Sequence, residues 1–311
     1  MTQRVSDQSF RSSHPSSALH VTQRTPALFE NAYSPRVPFT VKESPDQWAT
    51  YEHHLLVCLR TGDDKSAHLC LDRLTERFGP ANERIMGLRG LYQEATAKDN
   101  PTLQTILGEY DTILQDNPVN VPILKRRIAL LRSLDREEDA ISALVDYVGA
   151  FPTDAESWCE LADCYQANGM SAQAIFSLEE ALLVVPNSWT LHARLAELLY
   201  ISTKSADATV SSPQILARSI RHYLRSLELC DTFARGLYGL ILITSQLIQH
   251  PEYLAGGSAI DGQVPSKEVL ERLNSMALQK AEALIQSQQK TPNPDVTQDG
   301  IIALKELVQQ K

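Results

Sequence analysis

The sequence predicts an all-α fold of stacked antiparallel helix pairs, and three observations carry that prediction. Residues 121–188 hold one 34-residue pattern twice, back to back. Each copy closes on a proline, and within each half of a copy the large and small residues recur at the three- and four-residue spacing of a helix. In the second copy Trp158, Leu161, Ala162 and Tyr165 are followed by Ala174, Leu178, Ala181 and Pro186. The matching positions of the first copy are Leu124, Arg127, Ile128 and Leu131, then Ala140, Leu144, Tyr147 and Pro152. Bulky residues of the first helix supply knobs, and the small residues let neighbouring helices approach closely. Pro152 and Pro186 stop the second helix, because proline lacks the N–H and its ring clashes with the preceding turn.

This period and order of residues resemble the tetratricopeptide repeat. The expected class is therefore an all-α, tetratricopeptide-repeat right-handed superhelical solenoid of about six helix pairs, with a concave groove lined by first helices. Toward the amino terminus the register continues through Tyr110, Ile113 and Pro118, whose partner helix holds Gly90 and Leu91. The spacing there is too long for the standard unit, which predicts a longer turn around Asn100–Pro101. Before it, Ala67, Leu71 and Leu74 form a second helix ending at Phe78-Gly79-Pro80, paired with a first helix holding Trp48, Tyr51, Leu55 and Cys58 and starting near Pro45-Asp46. Toward the carboxyl terminus, Leu195, Ala196 and Leu199 begin a unit whose second helix carries Ser219, Tyr223 and Ser226. The last unit starts at Ala234 with Leu237, Leu240 and Ile241, and its second helix is Lys267–Gln286.

The domain organisation that follows is a disordered amino-terminal arm over 1–45 and a solenoid over 46–286 with surface loops at 202–214 and 250–265. A polar linker over 287–300 and an amphipathic helix over 301–311, with Ile301, Leu304 and Val308 on one stripe, complete the chain. Residues 1–40 contain Ser and Arg and few acids, faintly like a transit peptide. Pro15, Pro26, Pro35 and Pro38 oppose an amphipathic helix there, so a disordered tail is the reading.

Bulk properties exclude several classes. The 311 residues are 43% hydrophobic, ample for a folded body, yet the longest nearly apolar stretch, Leu237 to Ile248, is broken by Thr244, Ser245 and Gln246. A membrane span needs roughly 20 apolar residues, so none is expected, and no secretory signal is recognisable. The net charge is −9, and because residues 1–46 are slightly basic the body carries more than all of that negative charge. Binding a phosphate backbone requires clustered Lys and Arg, so no nucleic-acid partner is expected. Five cysteines without a paired framework suit a reducing compartment, and the chain reads as soluble and cytosol-facing.

No constellation in the sequence points to catalysis, a metal or a cofactor. Cys159 and Cys164 lack the C-x-x-C spacing of a redox or zinc site. His53 and His54 precede no zinc-binding helix motif, and His192 stands where Trp158 stands one repeat earlier, a position for a half-buried packing side chain. Glycine-rich phosphate loops and nucleophile elbows are absent from the sequence. The expectation is a non-enzyme.

The polar feature that stands out is Lys125-Arg126-Arg127 with Arg132. Arg127 occupies a position that usually packs a leucine between helices, so its guanidinium must snorkel or find an oxygen partner. Lys125 and Arg132 lie seven residues apart on the face that lines the groove. That face continues through Glu156, Asp163 and Gln166, then Glu197, then Arg235 and Tyr238, a mixed surface suited to a folded partner or a polar peptide. These ten residues are the candidate partner-binding set. Some repeats of this type clamp the acidic carboxyl terminus of a chaperone with a fixed Lys/Asn set. Here Lys125 fits, but Ala129 stands where Asn is wanted, and Glu156 and Glu160 would repel a carboxylate.

Several segments resemble one family more specifically: Arg60 to Leu74, Tyr110 to Pro118, Lys125 to Leu130, Glu156 to Tyr165, Ala174 to Glu180, Arg225 to Leu229 and Gly236 to Leu240. In order and register, over roughly residues 46–250, they resemble subunit 2 of the endoplasmic reticulum membrane protein complex. The resemblance implies a scaffold subunit on the cytoplasmic face of that membrane, peripheral and without a span. It implies partners among the cytosolic segments of membrane subunits and one soluble subunit, in a complex that inserts tail-anchored and multi-pass membrane proteins. It also implies contact roles for Lys125, Arg126 and Arg127. The alternative from the fold alone is a free-standing adaptor binding peptide segments in protein quality control or trafficking.

Overall fold

A computed structural model describes residues 45–204, 212–249, 265–290 and 298–309. Among them are thirteen helices: α1 (Pro45–Thr61), α2 (Asp64–Phe78), α3 (Glu83–Thr96), α4 (Asn100–Asp116), α5 (Val121–Ser133), α6 (Glu137–Ala150), α7 (Ala155–Ala167), α8 (Ser171–Val184), α9 (Trp189–Ser202), α10 (Ser212–Leu229), α11 (Ala234–Gln249), α12 (Lys267–Lys290) and α13 (Gln298–Gln309). The chain divides into two units, one up to Ala140 and one from Ile141, so the boundary falls within α6. The arm over 1–44 and most of both predicted loops lie outside the described residues.

In the first unit, α1 and α2 bury Tyr51, Leu55, Cys58, Ala67, Cys70, Leu71 and Leu74, joined by Ile85 and Leu88 of α3. Local chemistry sets the helix starts. Asp63 caps α2 by accepting from the Ser66 amide at 3.2 Å, Asn82 caps α3, and the buried Asn120 caps α5 through the Ile123 amide at 3.2 Å. Such side chains satisfy amides that have no partner in the first turn of a helix. The stretch at Asn100–Pro101 differs from the expected long turn. Asp99 accepts from the amide of Thr102 at 3.0 Å, and Pro101 sits in the first turn of α4, where no N–H is needed. The extra residues lengthen the helix instead of the loop. Tyr110 of α4 then lies against Gly90 of α3, where a Cβ would stand 2.2 Å from the phenolic oxygen.

In the second unit, α7, α8 and α9 share a core of Ala162, Ala174, Leu178, Leu195, Leu198 and Leu199. The prolines behave as the repeat requires: α6 ends at Ala150 before Pro152, and α8 ends at Val184 before Pro186. Each proline carbonyl also receives a ring N–H from the next first helix. Trp158 donates Nε1–H to Pro152 at 2.9 Å, and His192, one repeat later, places Nε2 3.0 Å from the Pro186 oxygen. The repeat position is thus used identically by two chemically different rings. The turn between helices repeats too. Asp135 has φ 56° and Gly169, 34 residues on, has φ 73°. Asp is one of the few residues besides glycine that adopts this left-handed backbone.

A larger core joins α9, α10, α11 and α12 through Ala196, Ile220, Tyr223, Leu237, Leu240, Leu270 and Ala277. Helix α10 starts at Ser212, inside the span read as loop, and α12 continues to Lys290, into the span read as linker. The carboxyl-terminal helix α13 packs back onto this core with Ile301 and Leu304 buried, covering the end of the stack. Stacked repeats need such a cap because the last pair would otherwise leave an apolar face in water.

Gly239 of α11 permits the tightest approach in this unit. A Cβ there would lie 2.2 Å from two ring carbons of Tyr223. Alanine favours a helix interior over glycine by about 1 kcal/mol, yet Gly239→Ala is expected to destabilise the protein by about 1–3 kcal/mol through overpacking. A lowered melting temperature checks this, and a raised one refutes the packing argument.

Candidate partner-binding surface on the first helices

The ten candidate residues fall in both units, and each set is described within its own. In the first unit, α5 carries Lys125, Arg126, Arg127 and Arg132. Arg126 turns inward. Its Nε donates to Glu94 Oε1 at 3.0 Å, its Nη2 pairs with Glu94 Oε2, and Tyr110 donates its hydroxyl to the same carboxylate at 2.5 Å. Burial works against the charged guanidinium, but the hydrogen bond and charge of Glu94 outweigh it and raise the pKa of Arg126. Burial, followed by the Glu94 hydrogen bond, pushes the Tyr110 phenol far up. Arg127 meets the requirement set by its position in the repeat: its Nε donates to Asp111 of α4 at 2.7 Å. Lys125 is half-buried and Arg132 exposed.

In the second unit, Glu156 is exposed in the first turn of α7 and Tyr238 packs against the α10–α12 core. The other four are tied together by a residue that the sequence reading missed. Arg194 of α9 donates to Asp163 at 3.1 Å and to Gln166 on α7, and reaches Glu197 on its own helix at 3.2 Å. Arg235 of α11 also pairs with Glu197. The result is a ladder, Asp163 and Gln166 to Arg194 to Glu197 to Arg235, running across three first helices. The first unit uses the same device. Glu52 of α1 holds Arg84 of α3 bidentately at 2.9 and 2.8 Å, and Glu94 of α3 holds Arg126 of α5. An acid on one first helix paired with an arginine about one repeat later is the sequence signal that would have found Arg194.

His192 also has a second partner, His222 of α10, with the two Nδ1 atoms 3.0 Å apart. Because the Pro186 carbonyl only accepts, His192 must carry its proton on Nε2. Its Nδ1 then accepts, and His222 donates Nδ1–H. Burial first, then His192, Arg218 and Arg221, push His222 down to about 4. No group of three or more His, Cys, Asp or Glu that could hold a metal is present among the described residues.

This arrangement of helix pairs has relatives. The EMC2 TPR-like repeat domain matches residues 84–211. The TPR repeat protein oca3 of Schizosaccharomyces pombe is 30% identical over 255 residues, covering 80% of this chain and 86% of the relative. The ER membrane protein complex subunit 2-B of Xenopus laevis is 32% identical over 211 residues, 68% of this chain and 67% of the relative. The chain belongs to the ER membrane protein complex subunit 2 family. Its fold is also that of solved tetratricopeptide-repeat structures. The carboxyl-terminal part of a TPR repeat-containing protein from Cytophaga hutchinsonii superposes with TM-score 0.50 at 12% identity, covering 94% of this chain and 99% of the other.

Two predictions separate buried from exposed links. Glu94→Ala strands a largely buried guanidinium and is expected to cost about 3 kcal/mol, whereas Arg194→Ala breaks partly exposed pairs worth under about 1 kcal/mol. Urea denaturation of the two variants reads the difference. His222 supplies a pH test. Its folded pKa lies below the unfolded value, so its contribution is present above about pH 6.5 and is lost as the unfolded chain alone takes up the proton. Denaturation midpoints should report a loss of about 2 kcal/mol from this group between pH 7 and pH 5. His222→Gln is expected to flatten that part of the pH profile.

Proposed function

We propose that this chain is a non-catalytic scaffold subunit of the endoplasmic reticulum membrane protein complex. It lies peripherally on the cytoplasmic face and holds cytosolic segments of membrane subunits together with a soluble subunit. Its role in inserting tail-anchored and multi-pass membrane proteins is architectural. The observation that carries this reading is membership of the subunit 2 family together with a body of stacked helix pairs. No helix among the described residues is long and apolar enough to cross a membrane, so attachment through partner subunits is the consistent route. The thiols fit a structural role as well. Burial, Cys58 and Asp63 push Cys70 up to about 12, while burial and Asp163 push Cys159 up to about 11, which keeps both protonated and poorly nucleophilic.

The contact residues we assign are, in the first unit, Lys125 and Arg132 on α5 and, in the second unit, Glu156, Tyr238 and the ladder residues Asp163, Gln166, Glu197 and Arg235. Arg126 and Arg127 contribute by fixing α5, because their charges are already engaged by Glu94 and Asp111.

The test is to tag the chain, solubilise membranes gently and follow what co-migrates on a sizing column. Co-migration with several multi-spanning proteins in one large species is expected. Recovery as a soluble species with chaperones or vesicle factors would overturn the reading in favour of a free-standing adaptor. The double variant Lys125→Glu/Arg132→Glu is expected to lower recovery of the large species several-fold with unchanged helical circular dichroism. Normal recovery would remove these two residues from the contact set.

A further inference from the structure

Polar bonds help fix how the helices before α13 sit on one another. Ser219 of α10 donates to the Ala196 carbonyl of α9 at 2.6 Å, and Ser226 donates to that of Trp189 at 2.8 Å. Arg235 of α11 pairs with Glu197 of α9, and the buried Asn274 of α12 donates to Ser245 of α11 at 2.7 Å. Helix α13 lies against both α11 and α12 without any such bond. Among the described residues, no side chain of 299–309 takes part in a hydrogen bond or an ion pair. Its hold is apolar: Ile301 and Leu304 are buried in the core shared with α11 and α12, and Leu307 and Val308 pack partly against it.

That hold is also small. Helix α11 buries nine of its sixteen residues, whereas in α13 only Ile301 and Leu304 are buried among the described side chains. A helix as short as α13 is marginal by itself in water, so its helicity depends on the face that receives it. Apolar contact is not directional. With no polar bond to match, the face selects a stripe of apolar side chains at helical spacing and little else. Helix α13 thus displays the chemistry that the face accepts, apolar residues at the positions of Ile301, Leu304 and Val308, three and then four apart.

We propose that the end face formed by α11 and α12 is a helix-binding site that α13 occupies in cis, and that an amphipathic helix of a different protein, with the same apolar spacing, takes its place. Helix α13 is then a tethered competitor. It shields the face from water while no partner is present and remains attached to α12 when displaced. Because it returns at high effective concentration, it lowers the partner's apparent affinity to the extent that it stays docked. The proposal goes beyond the scaffold reading and does not depend on it.

Hydrogen–deuterium exchange on the full, unaltered chain reads whether α13 opens by itself. Its amides are expected to be protected, yet to exchange at least about tenfold faster than those of α11 and α12. Exchange in step with α11 and α12, or no protection at all, would overturn the proposal. A fluorescein-labelled peptide of residues 298–311 then probes the face by anisotropy. It is expected to bind the full-length Ile301→Asp/Leu304→Asp variant, whose own α13 competes poorly, at least about tenfold more tightly than the unaltered chain. The same peptide carrying both substitutions should bind neither protein. Equal affinity for the two proteins, or no binding to a variant whose α11 and α12 keep their protection, would sink the idea. An unaltered chain that runs as a dimer and is split by the peptide would make the occupant a second copy and overturn the assignment to a different protein. Both measurements use the purified chain, so their failure leaves the scaffold reading as it stands, and loss of the membrane assembly leaves this one.

Discussion

A helix pair of this kind cannot bury its own apolar faces, so the fold depends on each pair meeting the next in one register. Apolar area supplies the driving force but is not directional, and a ridge can slip against a groove by one turn at modest cost. What fixes the register here is recurrent. Glu52 meets Arg84, Glu94 meets Arg126, Asp163 meets Arg194, and Glu197 meets Arg235. Each link joins one first helix to the next within its unit. A one-turn slip would strand a carboxylate and a guanidinium together, and for Glu94 and Arg126 that penalty would fall on groups largely removed from water. The links are thus better understood as specifying the stack than as supplying its stability.

The close contacts follow from the same constraint. Gly90 under Tyr110 and Gly239 under Tyr223 allow an aromatic ring where any Cβ would collide, and in both places the ring belongs to an adjacent helix. The Tyr110 hydroxyl then joins the Glu94–Arg126 link, so packing and charge lock at a single point. Trp158 and His192 do comparable work at the other end of a repeat, each tying a first helix to the carbonyl of the preceding proline. The histidine extends that tie to α10 through His222.

The sequence made the repeated positions readable because their chemistry is local. Pro152 and Pro186 end helices wherever they occur, and Ala162, Ala174 and Ala181 announce close approach by their size. The half-buried placement of His192 followed from its equivalence to Trp158. What could not be read depended on which distant side chain arrives opposite. Arg194 looks like an ordinary surface cation until α7 and α9 are set side by side. Glu94 looks like the polar tail of α3 until Arg126 turns toward it. The misjudged turn at Asn100–Pro101 has a different origin. The 34-residue template makes every extra residue look like loop, whereas Asp99 and Pro101 together are a helix start.

These pairings change what the first-helix faces can offer a partner. A mixed-charge surface read from sequence suggests many independent contact points, but most of the charges on the ladder are already partnered. A ligand that competes for Arg194 or Glu197 must break a link that sets the spacing of two helices, so binding there would couple to the geometry of the stack. A ligand that leaves the links intact must rely on side chains not committed to them, such as the exposed apolar residues, and on the shape the links preserve. A scaffold gains from the second arrangement. Its partners then recognise a form that is already fixed, and the ordering cost of association is lower because the repeats are in register before the partner arrives.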